Sequence, residues 1–119
     1  MAQYHEPTEE LSAQDRNYTR ALNSLKEEIE AVDWYHQRVA GSNDEHLKKI
    51  LEHNKQEEIE HACMVIEWLR RNMPGWEEQL RTYLFTEGDI TELEEGEESE
   101  SESGKPQASF NLGIGNLKE

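Results

Sequence analysis

Two heptad-like stripes of apolar residues organise the first two thirds of the chain. Leu11, Tyr18, Leu22, Leu25, Ile29, Val32, His36 and Val39 recur at steps of three, four or seven residues. Such steps keep side chains on one face of a helix. Leu47, Leu51, Asn54, Glu58, His61, Val65 and Trp68 repeat the pattern at alternating steps of four and three. The spacing predicts a first helix opening at Thr8 or Ser12, either of which could cap it, and running to about Ala40. Gly41-Ser42-Asn43-Asp44 reads as the turn, with Gly at the helix exit and a choice of caps for the next element. A second helix should span Glu45 to Asn72, until Met73-Pro74-Gly75 stops it. A third, shorter helix is expected over Trp76 to Phe85, with Trp76, Leu80, Tyr83 and Leu84 on its apolar side.

Two long helices joined by four residues must fold back as an antiparallel hairpin, each arm about 45 Å long at 1.5 Å per residue. A hairpin buries too little to stand alone. Trp34, Trp68, Trp76, Tyr35, Tyr83 and Phe85 add apolar bulk that one copy would leave in water. A second copy of the chain is therefore expected on burial grounds before any chemistry is considered. The expected fold class is all-α: a two-helix hairpin plus a short C-terminal helix, pairing into a four-helix bundle across a homodimer interface.

Composition sets the outer limits. With 119 residues, of which 34% are hydrophobic, the chain makes at most one domain. The net charge is −15, which argues against nucleic acid, whose binding rests on Lys and Arg. The same field suits the attraction of cations. No apolar run is long enough to span a membrane. Cys63 is the single cysteine and fits a reducing, cytoplasmic setting. From Glu87 to Glu102 there are nine acidic residues and no basic one, a stretch that cannot build a core. Apolar residues return at the C-terminus. The expected division is a flexible arm over 1–7, a helical domain over 8–86, a disordered acidic linker over 87–108 and a recognition peptide over 109–119.

The chemistry lies where the stripes are broken. Glu58 and His61, at i and i+3, put a carboxylate and an imidazole side by side at positions where the stripe calls for core residues. Glu28 flanks the first stripe between Leu25 and Val32. An ionised carboxylate without a partner in a dry interior costs several kcal/mol. A metal ion removes that cost. Carboxylate-bridged dimetal sites in helix bundles take one Glu from each of two helices and a Glu-x-x-His from each of two others. This chain carries half of that set, and a two-fold axis doubles it. Counted from the turn, Glu28 and Glu58 lie at similar heights. Tyr35, one or two turns beyond Glu28 on the same side, could hydrogen-bond a ligand carboxylate. Glu27, Glu30, His53, Glu57 and Glu60 form further acidic or His–Glu pairs at helical spacing. They could bind cations in passing or simply face solvent. Trp34 is read as packing, and His5, His36 and His46 as incidental.

These residues resemble the encapsulated ferritins. The resemblance is carried by Glu27-Glu28-Ile29-Glu30-Ala31-Val32-Asp33-Trp34-Tyr35, Glu57-Glu58-Ile59-Glu60-His61-Ala62 and Glu67-Trp68-Leu69-Arg70-Arg71. It extends through Leu80-Arg81-Thr82-Tyr83-Leu84-Phe85-Thr86-Glu87-Gly88 to the terminal Leu112-Gly113-Ile114-Gly115-Asn116-Leu117-Lys118. It implies a ferroxidase whose two-helix subunits pair and assemble into an open ring, with a di-iron centre between subunits. Glu28, Glu58 and His61 would be the iron ligands and Tyr35 the residue beside them. Glu27, Glu30, His53, Glu57 and Glu60 match accessory metal positions. The C-terminal segment resembles the signal that docks cargo inside an encapsulin shell, where Leu112, Ile114 and Leu117 would fill apolar pockets. His36 and Cys63 belong to no motif of the family. Two other readings fit parts of the chain: a non-enzymatic helical adaptor with solvent-facing acids, and a manganese or mixed-metal oxidase or peroxidase.

Overall fold

The computed structural model describes residues 4–94. Leu112, Ile114 and Leu117, expected to dock in a shell, and most of the expected acidic linker lie outside the described residues. Within them the protein is all-α. A 3-10 turn at Thr8–Glu10 precedes α1 (Ala13–Gly41), α2 (Glu45–Asn72) and α3 (Trp76–Tyr83). A second 3-10 turn follows at Ile90–Glu92. Among the described residues no helix is long and apolar enough to cross a membrane.

Local chemistry sets each boundary. Of the two candidate caps, Ser12 starts α1: its Oγ accepts from the Asp15 amide at 2.9 Å, and Asp15 Oδ2 accepts from the Ser12 amide at 3.1 Å. This reciprocal pair satisfies two amides that the helix leaves open. Thr8 starts the separate 3-10 turn, and its carbonyl accepts from Arg16 Nη2 at 2.8 Å. Gly41 lies in the last residue of α1 rather than beyond it, and Ser42, extended, is the C-cap. Asp44 caps α2 by accepting from the Leu47 amide at 3.0 Å. After Pro74 the chain turns through Gly75 at φ +102°, a conformation that strains any side chain. α3 ends at Tyr83, two residues earlier than predicted, because Phe85 takes a left-handed φ of 60°. The acidic run also holds more structure at its start than its composition predicts. Asp89 accepts from the Thr91 amide and hydroxyl and holds the turn at Ile90–Glu92.

The chain divides into two units at Trp76. The first contains the hairpin, with α1 and α2 antiparallel along their length. Its open end is clasped by Tyr18, whose hydroxyl donates to the Asn72 carbonyl at 2.9 Å. The same ring meets Trp68 edge-on, with centroids 6.4 Å apart. Among the described residues the buried core is Leu25, Ala62 and Leu69, with Ala21, Val65, Ile66, Trp68, Met73 and Trp76 packed around it. The second stripe is thus rotated from its expected axis. Ala62 and Leu69 lie deepest, while Glu58, His61, Val65 and Trp68 are half-buried on one flank of the contact. The helix turns 100° per residue, so moving the contact by one residue opens that flank. Leu47, on the same stripe, is 46% exposed, and Trp34 and Met64 are 51% and 57% exposed.

Candidate metal centre

Half-way along the hairpin, α1 contributes Glu28 and α2 contributes Glu58 and His61. The two carboxylates come from positions nearly equidistant from the Ser42–Asp44 turn, so antiparallel packing brings them to one level. Glu58 and His61 share a helix face at i, i+3. His61 Nδ1 lies 3.6 Å from Glu28 Oε1 and 3.6 Å from Glu58 Oε1. One ligand atom from each of the three residues lies within 4.8 Å of the other two. The side chains of Glu28, Glu58 and His61 are 26%, 24% and 42% exposed, on the open flank of the hairpin.

The spacing suits an ion. At 3.6 Å an N–H and a carboxylate oxygen are too far apart for a hydrogen bond. Ligand bonds of about 2.0–2.2 Å put neighbouring donor atoms about 3 Å apart, so small rotations of three flexible side chains close the set around a cation. The electrostatics agree. The Glu28 carboxyl is held above its ordinary pKa, first by a hydrogen bond with Glu58, then by partial burial and the Glu58 charge, against the opposing pull of His61. Two carboxylates this close cannot both ionise cheaply without a cation. Two hard oxygens and one imidazole nitrogen suit Fe(II) and its neighbours in the divalent series.

The other residues singled out from sequence are placed differently. Among the described residues, no second cluster of three donors forms within the chain. His53 Nε2 and Glu57 Oε2 are 3.5 Å apart on exposed helix surface. Glu27 accepts from Asn23 at 3.4 Å, and Glu30 and Glu60 are exposed. Tyr35 is half-buried two turns beyond Glu28 on α1. Arg38 stands over its ring, 5.0 Å from guanidinium carbon to centroid. Sequence reasoning passed over Arg38, although an aromatic and an arginine at i, i+3 is a readable signal.

Comparison with known proteins places these features in a lineage. Residues 3–87 match the family described as EncFtn-like. A ferritin-like protein of Thermotoga maritima is 62% identical over 115 residues, covering 97% of this chain and 97% of that protein. An encapsulated ferritin-like protein of Rhodospirillum rubrum is 53% identical over 121 residues, covering 96% of this chain and 86% of that one. The crystal structure of a protein from Nitrosomonas europaea superposes with a TM-score of 0.70 at 53% identity, over 73% of this chain and 97% of that one.

Proposed function

The chain belongs to the EncFtn-like family, the encapsulated ferritins, and from that premise we propose that it is a ferroxidase with a di-iron centre formed between two copies of the chain. The observation that carries this reading is the half-built cluster. One copy offers two carboxylates and one imidazole on a flank left open by its own packing. A two-fold partner supplies the same three again, and four carboxylates with two imidazoles hold a pair of ions.

Fe(II) is the substrate. Glu28 and Glu58 would hold the ions through their carboxylate oxygens. His61 would add a ring nitrogen to the set. Hard oxygen donors favour Fe(III) over Fe(II), which biases the bound pair toward oxidation. Each pair of Fe(II) gives up two electrons, one per ion. Dioxygen takes both with two protons and leaves as hydrogen peroxide; peroxide takes both with two protons and leaves as two waters. Tyr35 would serve as a hydrogen-bond donor to a ligand carboxylate. Glu27, Glu30, His53, Glu57 and Glu60 lie on exposed surface of the same two helices, where they attract Fe(II) and pass it inward.

The rest of the chain serves assembly. Residues 8–86 form the ferritin-like domain, whose dimers close into a ring. An open ring has no cavity of its own for mineral, so storage falls to an encapsulin shell in the cytoplasm. Residues 1–7 are an arm, residues 87–108 the spacer, and residues 109–119 the peptide that docks in the shell through Leu112, Ile114 and Leu117.

The test is aerobic addition of Fe(II), read as ferric absorbance and oxidant consumption. The wild type is expected to oxidise iron well above the buffer rate, and Glu28→Ala, Glu58→Ala and His61→Ala to fall to it. An adaptor would match buffer in every case. A chain lacking residues 109–119 should keep its oxidation rate and lose co-purification with the shell. If Mn(II) but not Fe(II) were turned over, the ferroxidase reading would fail.

A further inference from the structure

Arg38 is a cation that the structure sets over an aromatic ring. The net charge is −15, yet among the described residues no carboxylate pairs with Arg38. Its guanidinium lies instead over the Tyr35 ring, at 5.0 Å from the centroid. Both residues project from the last three turns of α1, at i and i+3. On the other side of Tyr35, one turn toward the N-terminus, stands Ala31, whose methyl leaves room for a neighbouring ring. Glu28 is one turn further on, almost in line with Tyr35. A long helical side chain leans toward the N-terminus of its helix. Along α1 the Tyr35 ring therefore has the Arg38 cation on its C-terminal side, and the turns that carry Ala31 and Glu28 follow on its N-terminal side.

We propose that Arg38 is a positioning residue for Tyr35: stacked on the ring, it fixes the phenol so that its hydroxyl is presented toward the carboxylates of Glu28 and Glu58. The inference rests on the part assigned above to Tyr35. A guanidinium suits the task because it is planar, remains charged and stacks on the negative face of an aromatic ring. Arg38 also has an ordinary structural use as a cation in the last turn of α1, where it meets the helix dipole. The two uses separate experimentally.

The measurements are made on the full chain. In the metal-free protein carrying ring-labelled tyrosine, the Tyr35 resonance is identified by its loss in Tyr35→Phe. Arg38→Gln should shift or broaden that resonance and leave those of Tyr4 and Tyr83 in place. Arg38→Lys, which keeps the charge, should restore it in part. A dipole role alone would change the melting temperature of Arg38→Gln without moving the ring signal. In aerobic Fe(II) oxidation, Arg38→Gln should slow the initial rate about two- to fivefold, the scale of a partly exposed cation–ring contact. In the Tyr35→Phe background, with no hydroxyl to place, Arg38→Gln should add nothing. An unmoved Tyr35 resonance, or an equal slowing in both backgrounds, overturns the proposal. A wild type that fails to oxidise Fe(II) would instead count against the ferroxidase reading, and the resonance measurement would still decide the place of Arg38.

Discussion

At the scale of single residues the candidate metal centre sets two acids close together. Glu28 keeps its proton above the ordinary carboxylate range because Glu58 shares it. A raised acid pKa contributes stability that is present below the unfolded value and lost as pH rises through the folded one. The metal-free protein should therefore lose stability in rising from the ordinary range of a glutamate to neutrality, and Glu58→Gln should not. At neutral pH we expect Glu58→Gln to stabilise the metal-free chain by about 0.5 kcal/mol, the scale of a relieved like-charge pair, while abolishing iron oxidation. A melting curve and the ferric assay on one preparation check both. Glu67 shows the opposite sign. It accepts from Arg70 Nε at 2.9 Å and Arg71 Nε at 2.7 Å, which lowers its pKa from 4.5 to about 2. Its contribution is present above 4.5 and lost as pH falls toward 2. The group is 43% exposed, so water screens the pair and Glu67→Gln should cost only about 0.5–1 kcal/mol at neutral pH. Thermal melts of both proteins should converge as pH approaches 2. The chemistry of Glu28, Glu58 and His61 is legible in sequence as charge at stripe positions. That His61 turns Nδ1 to both carboxylates is not, because ring orientation depends on packing.

At the scale of elements the helices are specified mainly by their ends. Ser12 and Asp15 open α1 and Asp44 opens α2, each holding amides that would otherwise lack partners. Ser12→Ala should cost about 1 kcal/mol, read in chemical denaturation as a lower midpoint with unchanged slope. The hairpin is clasped where its ends would fray. Tyr18→Phe keeps the ring against Trp68 and removes the hydroxyl bond to the Asn72 carbonyl, at an expected cost of about 1 kcal/mol. Hydrogen exchange should rise in the last turn of α2 and stay unchanged near Gly41. The extents of α1 and α2 follow from periodicity and breakers. The end of α3 does not, since nothing in the composition of Leu84-Phe85 announces a left-handed Phe85.

At the scale of the whole molecule, the hairpin is thin. Among the described residues, Leu25, Ala62 and Leu69 are the buried apolar side chains between two long helices, and the flank carrying Glu28, Glu58 and His61 stays half-open. Leu47 is 46% exposed on that flank, so its own hairpin loses little when it changes. Leu47→Asp should leave the helical content intact, shift the species seen in sedimentation toward monomer, and lower iron oxidation in proportion. Unchanged assembly would place the pairing surface elsewhere. The division between sequence and tertiary structure follows from this thinness. Periodicity, breakers and caps act within a few residues, so the order, sense and extent of α1 and α2, and the choice of Glu28, Glu58 and His61, were determined by sequence alone. The axis of contact was decided by packing. It falls on Leu25, Ala62 and Leu69, where small and branched side chains let the backbones approach, and it leaves the acids on a half-open flank. A heptad stripe names a face about a third of a helix wide, and only the fit of one helix against another chooses the line within it.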